Sequence, residues 1–244
     1  MHHLGFTRTI ARSNYTLHTP DSFVPAPLPG MARATAIVHA APALGAKFTM
    51  YTAELEATGQ LGPSTMQRFV YVLEGELTLD AKGKQRRITP NGFAYIPAGL
   101  PHRIQASSKS RAAVIEKPYQ SRDGLGSPGL VLGREKSARP QPLLGDADVQ
   151  VRSLIPADPA FDLAVNTMTY APGATLPMVE SHVMEHGLLM LDGAGIYRLG
   201  DDWHPVSAGD FIWMGPYCPQ WFGALGKTPA RYLIYKDWNR HPQA

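Results

Sequence analysis

The chain has 244 residues, of which 44% are hydrophobic, enough for packed cores, so global disorder is excluded. Its net charge is +3 without a dense Lys/Arg run, and no apolar stretch reaches the ~18 residues of a membrane span, so we expect neither nucleic acid nor a membrane as a partner. With 18% charged residues against 23 Gly and 22 Pro, the composition predicts an all-β protein with many turns.

The first 45 residues are rich in proline and are predicted to form an extended N-terminal arm. Such an arm often packs on another domain or subunit, and a frayed terminus is the alternative. The first eight residues, MHHLGFTR, lack the apolar core of a signal peptide. Cys218 is the only cysteine, so no internal disulfide can form. We therefore expect a cytoplasmic protein.

Two copies of one β-domain follow the arm, at residues 46–120 and 143–244. Residues 70–75 (VYVLEG) match residues 188–193 (LLMLDG) at an offset of 193 − 75 = 118. The same offset places Phe93 on Phe211 and continues without a gap to His102, which falls on Gln220. Short strand-like runs separated by polar turns predict a barrel or sandwich built twice. Residues 121–142, rich in Gly, Pro and Ser, are predicted to be a linker.

The segment ESHVMEH at residues 180–186 concentrates side chains that can bind a metal. On a strand, residues two apart share a face, so Glu180, His182 and His186 would point into one barrel lumen, and Glu185 away from it. The helical alternative, a zinc metalloprotease motif, needs Glu directly after the first His, where Val183 stands. The sequence therefore predicts a metal site on strands.

Two motifs in this half resemble those of cupins. The first cupin motif runs His-x-His, three or four residues, Glu, six residues, Gly, and here it is Glu180-x-His182, three residues, His186, six residues, Gly193. The second runs from Gly209 to Gln220, where Gln replaces the usual His. Its N-terminal counterpart, residues 91–102, ends on His102. The resemblance implies a bicupin, two jelly-roll type β-barrels in tandem.

The offset of 118 then indicates which barrel holds the metal. It places Glu180, His182, His186 and Gln220 on Gly62, Ser64, Arg68 and His102. Since three of four ligand positions are lost, we expect no metal in the N-terminal barrel and a structural role for His102. Two imidazoles, a carboxylate and an amide oxygen favour Mn²⁺, then Fe²⁺, with Zn²⁺ or Ni²⁺ as further options.

The ligand set resembles that of the (S)-ureidoglycine aminohydrolase family, bicupins of purine and allantoin breakdown. Residues 180–187 (ESHVMEHG), 232–240 (YLIYKDWNR) and 15–21 (YTLHTPD) are also similar to segments of that family. The resemblance implies an Mn²⁺-dependent hydrolase that converts (S)-ureidoglycine and water to (S)-ureidoglycolate and ammonia. It also implies that Glu180, His182, His186 and Gln220 are the metal ligands.

Further site residues lie on the last predicted strand. Tyr232, Ile234 and Lys236 would share one face, which favours Lys236 as the partner of a substrate carboxylate over a surface lysine. Tyr197 and Tyr232 are candidate hydroxyl donors to the substrate, with core packing as the alternative. Glu180 is the candidate general base, since a ligand carboxylate can shift off the metal.

Other functions fit part of the pattern. Two His and one carboxylate also suit an Fe²⁺- or Mn²⁺-dependent oxygenase or an oxalate-type bicupin. A sugar-binding or sugar-isomerising cupin is a further alternative, as is a non-enzymatic bicupin that binds or stores a small molecule. Because cupins often pair their barrels, we expect a homo-oligomer acting on a small-molecule substrate.

Overall fold

The computed structural model describes residues 5–240, and this part of the chain is almost entirely β-structure. In chain order its strands are β1 (Ile10–Ala11), β2 (Tyr15–His18), β3 (Ala32–Ala40), β4 (Thr49–Gln60), β5 (Gln67–Glu74), β6 (Leu77–Ala81), β7 (Lys84–Ile88), β8 (Gly92–Ile96), β9 (His102–Ala106), β10 (Ser110–Lys117), β11 (Val131–Arg134), β12 (Gln141–Leu143), β13 (Asp146–Ser153), β14 (Leu163–Tyr170), β15 (His186–Asp192), β16 (Ala194–Leu199), β17 (Asp202–Ser207), β18 (Phe211–Met214), β19 (Gln220–Leu225) and β20 (Ala230–Asp237). Three single-turn 3-10 helices lie at Pro20–Ser22, Pro42–Leu44 and Glu135–Ser137. None of the helices in residues 5–240 is long and apolar enough to span a bilayer.

The predicted repeat is visible in the strands and in their register. Strand β9 begins at His102 and β19 at Gln220, 220 − 102 = 118 residues later. In the β5–β8 pair Arg68 faces Ile96, and in the β15–β18 pair His186 faces Met214, the same register shifted by 118. The all-β, two-copy prediction is therefore confirmed down to individual strand partners.

The N-terminal unit comprises residues 24–139 and 154–162. Its nine-stranded sheet has the order β11-β8-β5-β10-β4-β9-β6-β7, with β3 paired to β4. The β6–β7 hairpin turns at Lys82 and Gly83, which both have positive φ (54° and 68°), as a two-residue type I′ turn requires. Apolar side chains of alternate positions, including Val70, Val72 and Leu79, form its buried core.

The C-terminal unit comprises residues 5–23, 140–153 and 163–240. It has an eight-stranded sheet of order β1-β2-β18-β15-β20-β14-β13-β12 and a three-stranded sheet β17-β16-β19. Its core includes large buried side chains, among them Tyr170, Tyr197, Phe222 and Tyr232. All of the site residues predicted from sequence belong to this unit.

The observed units differ from the boundaries drawn from sequence. The predicted arm, residues 1–45, has its first four residues outside the described part; strand β2 pairs with β18 in the C-terminal unit, and β3 pairs with β4 in the N-terminal unit. Strand β11 lies in the predicted linker and pairs with β8. Residues 154–162, predicted to belong to the C-terminal barrel, are part of the N-terminal unit, where Asp162 contacts Lys117 (3.1 Å). These pairings join segments far apart in the chain, and a local composition change cannot reveal them.

Candidate active site

The metal-motif segment is a loop held at both ends. Glu180 forms an isolated bridge with Gln220, with N–H to carbonyl distances of 2.8 Å and 2.9 Å in the two directions. Residues 181–185 then run without regular structure until β15 begins at His186. The strand geometry on which the parity of Glu180, His182 and His186 was argued is therefore present only at His186 and at the Glu180 bridge. The His182 carbonyl instead accepts the Tyr217 N–H (2.7 Å), so the turn before Gln220 satisfies this part of the loop.

Three of the four predicted ligands meet. The Nε2 atoms of His182 and His186 are 3.2 Å apart, and Gln220 Nε2 is 3.0 Å from His182 Nε2. The two imidazole rings make an edge-to-face contact, with centroids 4.8 Å apart and an angle of 70° between the ring planes. The His182 ring also has a buried Nδ1 without a hydrogen-bond partner within residues 5–240, whereas backbone groups of Tyr235 and Glu185 act on the His186 ring. The two Nε2 atoms and the amide thus converge on one small volume.

The backbone of Glu180 is paired with Gln220, but its carboxylate does not form a metal-binding group with the two imidazoles. Burial is the main cause of the raised pKa of Tyr170, Tyr197 and Tyr232 and of the lowered pKa of Lys236, and the nearby Glu180 adds to the first and opposes the second. Across residues 5–240, no three His, Cys, Asp or Glu side chains are grouped closely enough to hold a metal. Gln220 is not one of those residue types, so the triad of His182, His186 and Gln220 is not such a group. The Glu180 carboxylate near this triad is only partly buried.

The donor set fits a divalent cation. Two ligands at right angles with metal–nitrogen bonds of about 2.1 Å would be about 3 Å apart, close to the observed separation of the imidazole nitrogens. Burial and the neighbouring His182 and Lys236 hold the pKa of His186 well below its usual range, so its ring is neutral and offers a lone pair. His182 Nε2 is within 3.2 Å of a nitrogen of each of the other two side chains, so the three groups are close enough to share one ion.

Lys236 lies beside the triad because β20 is the neighbour of β15. Lys236 faces His186 directly in this antiparallel pair, so both side chains leave the sheet on the same face. Burial lowers the pKa of Lys236, while Glu180 acts in the opposite direction. The Trp238 ring, whose centroid is 5.2 Å from Lys236 Nζ, covers the ammonium from the outside. Lys236 is therefore partly buried beside the triad, which favours a site role over the alternative of a surface lysine.

Three buried tyrosines line the interior next to the triad. The Tyr170 and Tyr232 hydroxyls are 2.7 Å apart, and the Tyr197 hydroxyl donates to Gln220 Oε1 at 3.5 Å. Burial raises the pKa of all three phenols, so they remain protonated donors at neutral pH. Tyr197 and Tyr232 were candidates from sequence, whereas Tyr170 was missed, because a Tyr at the end of a strand pattern indicates only core packing. The signal lay in the pairing of β14 with β20, which sequence reasoning did not establish.

The same place in the N-terminal barrel is occupied by a guanidinium. Arg68, the counterpart of His186, has Nε 2.6 Å from Glu116 Oε1, Nη1 2.9 Å from His102 Nε2, and Nη2 2.9 Å from the Gly62 carbonyl. The other nitrogen of His102, Nδ1, is 2.8 Å from the Leu100 carbonyl, so both ring nitrogens are engaged. This arrangement agrees with the structural role expected of His102.

Comparisons with known proteins agree with the architecture and show the family. The Cupin domain family model matches residues 57–116 and 166–235. (S)-Ureidoglycine aminohydrolase of Arabidopsis thaliana is 39% identical over 244 residues, covering 98% of this chain and 80% of the relative. The Escherichia coli (strain K12) protein of the same name is 33% identical over 238 residues, covering 95% and 91%. A crystal structure of the putative glyoxylate induced protein from Pseudomonas aeruginosa matches with a TM-score of 0.89 and 31% identity, covering 100% of this chain and 95% of that one.

Proposed function

We propose that this chain, which belongs to the (S)-ureidoglycine aminohydrolase family of cupin proteins, converts (S)-ureidoglycine and water to (S)-ureidoglycolate and ammonia. The observation that carries the proposal is the convergence of His182, His186 and Gln220 beside Lys236. A donor set for a cation next to a buried ammonium suits a small substrate that carries both an amine and a carboxylate. The oxygenase, sugar-binding and storage alternatives have no feature of this site that favours them.

The cupin fold and the relatives support a metal cofactor in general, and we propose Mn²⁺, held by Glu180, His182, His186 and Gln220, with Fe²⁺, Zn²⁺ or Ni²⁺ as weaker candidates. A bound divalent cation supplies a Lewis acid that polarises the amine-bearing centre and acidifies nearby water. An amide binds a metal through its oxygen, so the Gln220 amide would have to turn over. The Tyr197 hydroxyl, which is 3.5 Å from Gln220 Oε1, would then face the amide NH₂ group. Tyr197 would then accept a hydrogen bond and fix the amide.

Lys236 and the tyrosines bind and orient the substrate in this proposal. The Lys236 ammonium pairs with the substrate carboxylate, an interaction strengthened because the site is partly desolvated. The Tyr197 and Tyr232 hydroxyls, kept protonated by burial, donate to or accept from the ureido group. Two fixed ends of the substrate leave one face of the central carbon open, which selects one enantiomer.

Glu180 handles the proton. Its carboxylate accepts a proton from the attacking water as the C–O bond forms, and delivers one to the amine nitrogen as the C–N bond breaks and ammonia leaves. Glu180 suits this role because it is only partly buried and, as the proposed ligand outside the hydrogen-bonded triad, its carboxylate could shift off the metal. We further propose a cytoplasmic homo-oligomer that acts on a small molecule, without nucleic-acid or membrane partners.

The test combines metal analysis with ammonia release from freshly generated ureidoglycine. Wild-type protein is expected to hold close to one Mn²⁺ per chain and to release ammonia without consuming O₂. His182→Ala should lower metal affinity and turnover by more than about 100-fold, since it removes a direct ligand.

The matched control is His102→Gln, which places the residue of the C-terminal barrel into the N-terminal one. It is expected to keep the wild-type metal content and turnover. Loss of metal in His102→Gln, together with retention in His186→Ala, would show that the site is assigned to the wrong barrel. O₂-dependent turnover would favour the oxygenase alternative.

A further inference from the structure

Tyr217 adopts a backbone conformation that large side chains avoid. Its φ is +61°, in the left-handed region where a bulky residue is an outlier. The repeat supplies an internal reference, because 217 − 118 = 99 and Gly99 has φ +73° in the same turn of the N-terminal barrel. Both barrels therefore need the left-handed turn, and only the barrel with the candidate metal site places a large residue there.

The position of Tyr217 connects it to the site. Its N–H donates to the His182 carbonyl (2.7 Å), and its own carbonyl accepts from Ser181 Oγ (3.1 Å). Gln220 follows three residues later and forms the bridge with Glu180. The residue thus lies where the loop carrying one imidazole meets the turn carrying the amide.

Folding does not account for the side chain. The Tyr217 side chain is 64% exposed, so little burial offsets the backbone strain. At Gly99 a Cβ would meet no atom within 4 Å, so the turn has room for a side chain without requiring one. The backbone hydrogen bond does not need the side chain either, since the Gly99 N–H donates to a neighbouring loop carbonyl, that of Thr65 (3.0 Å), one residue beyond the counterpart of His182.

We propose that Tyr217 is a specificity-determining residue whose ring closes over the outer end of the bound substrate and keeps bulk water from the site. The inference rests on the proposed function for its substrate, while the cover itself concerns access to the triad. A planar ring in that position would suit the planar ureido group, which in the proposed binding mode points away from the amine and carboxylate. Excluding water there strengthens the interactions within the site.

The experiment compares Tyr217→Gly, Tyr217→Phe and the reciprocal Gly99→Tyr. Tyr217→Gly should keep the wild-type Tm or raise it by at most about 4 °C, because strain is relieved and the flexible glycine offsets part of the gain. It should lower kcat/KM about tenfold, mainly through KM, since the lost ring contact is made with bound substrate. Tyr217→Phe keeps the ring and should stay within about twofold of the wild type. Gly99→Tyr should lower Tm and leave kcat/KM unchanged.

A second measurement separates this inference from the proposed function. The rate at which EDTA extracts Mn²⁺ depends on access to the site and not on the identity of the substrate. Extraction should be faster from Tyr217→Gly than from wild type, and unchanged in Gly99→Tyr. If the wild type releases no ammonia from ureidoglycine, the proposed function fails and the extraction rate alone decides. An unchanged extraction rate, a protein that binds no Mn²⁺, or a Tyr217→Gly variant with lowered Tm would overturn the inference.

Discussion

At the scale of single residues, Lys236 gives the sharpest test of substrate binding. Replacing it with Met keeps most of the volume and removes the charge that faces the substrate carboxylate. A charge-assisted hydrogen bond is worth about 1.5–3 kcal/mol, so Lys236→Met should lower kcat/KM by about 10- to 100-fold. Steady-state ammonia release over a range of substrate concentrations measures this, and metal content should stay at the wild-type level.

The control is Lys227→Met, which removes an exposed lysine from the turn before β20. It should leave both kcat and KM unchanged. If Lys236→Met also retained wild-type kinetics, the carboxylate would have to be held elsewhere and the substrate orientation proposed above would be incorrect.

Residue-level prediction from sequence succeeded where chemistry and spacing coincide. The His182, His186 and Gln220 side chains were selected as a set, and their nitrogens meet. Glu180 was placed in the same set by its parity, yet its carboxylate stays apart from the imidazoles in the described geometry. Burying a carboxylate among other side chains costs more than burying an imidazole or an amide, so the carboxylate stays where water reaches it. The spacing of residues predicts which face of a strand a side chain occupies. It does not predict whether that side chain is stabilised by water or by its neighbours.

At the scale of elements, the Arg68–Glu116 pair of β5 and β10 shows how the N-terminal barrel manages without the ligand set. Arg68 is 3% exposed, and its guanidinium contacts Glu116, His102 and the Gly62 carbonyl. Arg68→Met should lower the free energy of unfolding by about 3–5 kcal/mol, because Glu116 is left buried without its partner. Chemical denaturation measures the change.

Two further variants isolate the cause. Arg68→Met combined with Glu116→Gln should recover part of the loss, since no unpaired charge remains. Arg87→Met breaks the exposed pair with Glu76 and should change stability little. A loss equal in the single and double variants would mean that packing around Arg68, not the buried charge, is the source of stability.

Equivalent positions in the two copies could be predicted from sequence, but the pairing of strands that are far apart in the chain could not. The offset of 118 predicted that Arg68 and His186 occupy equivalent positions, and the shared register confirms it. By contrast, β2 and β3 were both assigned to one arm, although each joins a different sheet. An alternating pattern predicts that a strand has a buried face, but the choice of a distant partner depends on which sheet edge is open.

At the scale of the whole molecule, buried histidines make stability depend on pH. Burial lowers the pKa of His18, His186 and His204 in the C-terminal unit and of His102 in the N-terminal unit. Unfolding returns these rings to a pKa of about 6.5, so below that pH the unfolded state binds protons that the folded state resists. Stability is then lost as pH falls from about 6.5 toward the lowered pKa values, and is level above about 7.

We expect the Tm of the metal-free protein to be constant between about pH 7 and about pH 8, where histidine is neutral in both states. Below about pH 6.5 the Tm should decline steadily. His102→Gln provides the control, because a glutamine amide can still donate to the Leu100 carbonyl and accept from Arg68 without titrating. Its Tm should fall less steeply over the same range, because one of the titrating rings is gone. A wild-type Tm that rose on acidification would mean that the rings are protonated in the folded state. The neutral imidazoles on which cation binding depends would then be absent, and that chemistry would have to begin with the release of protons.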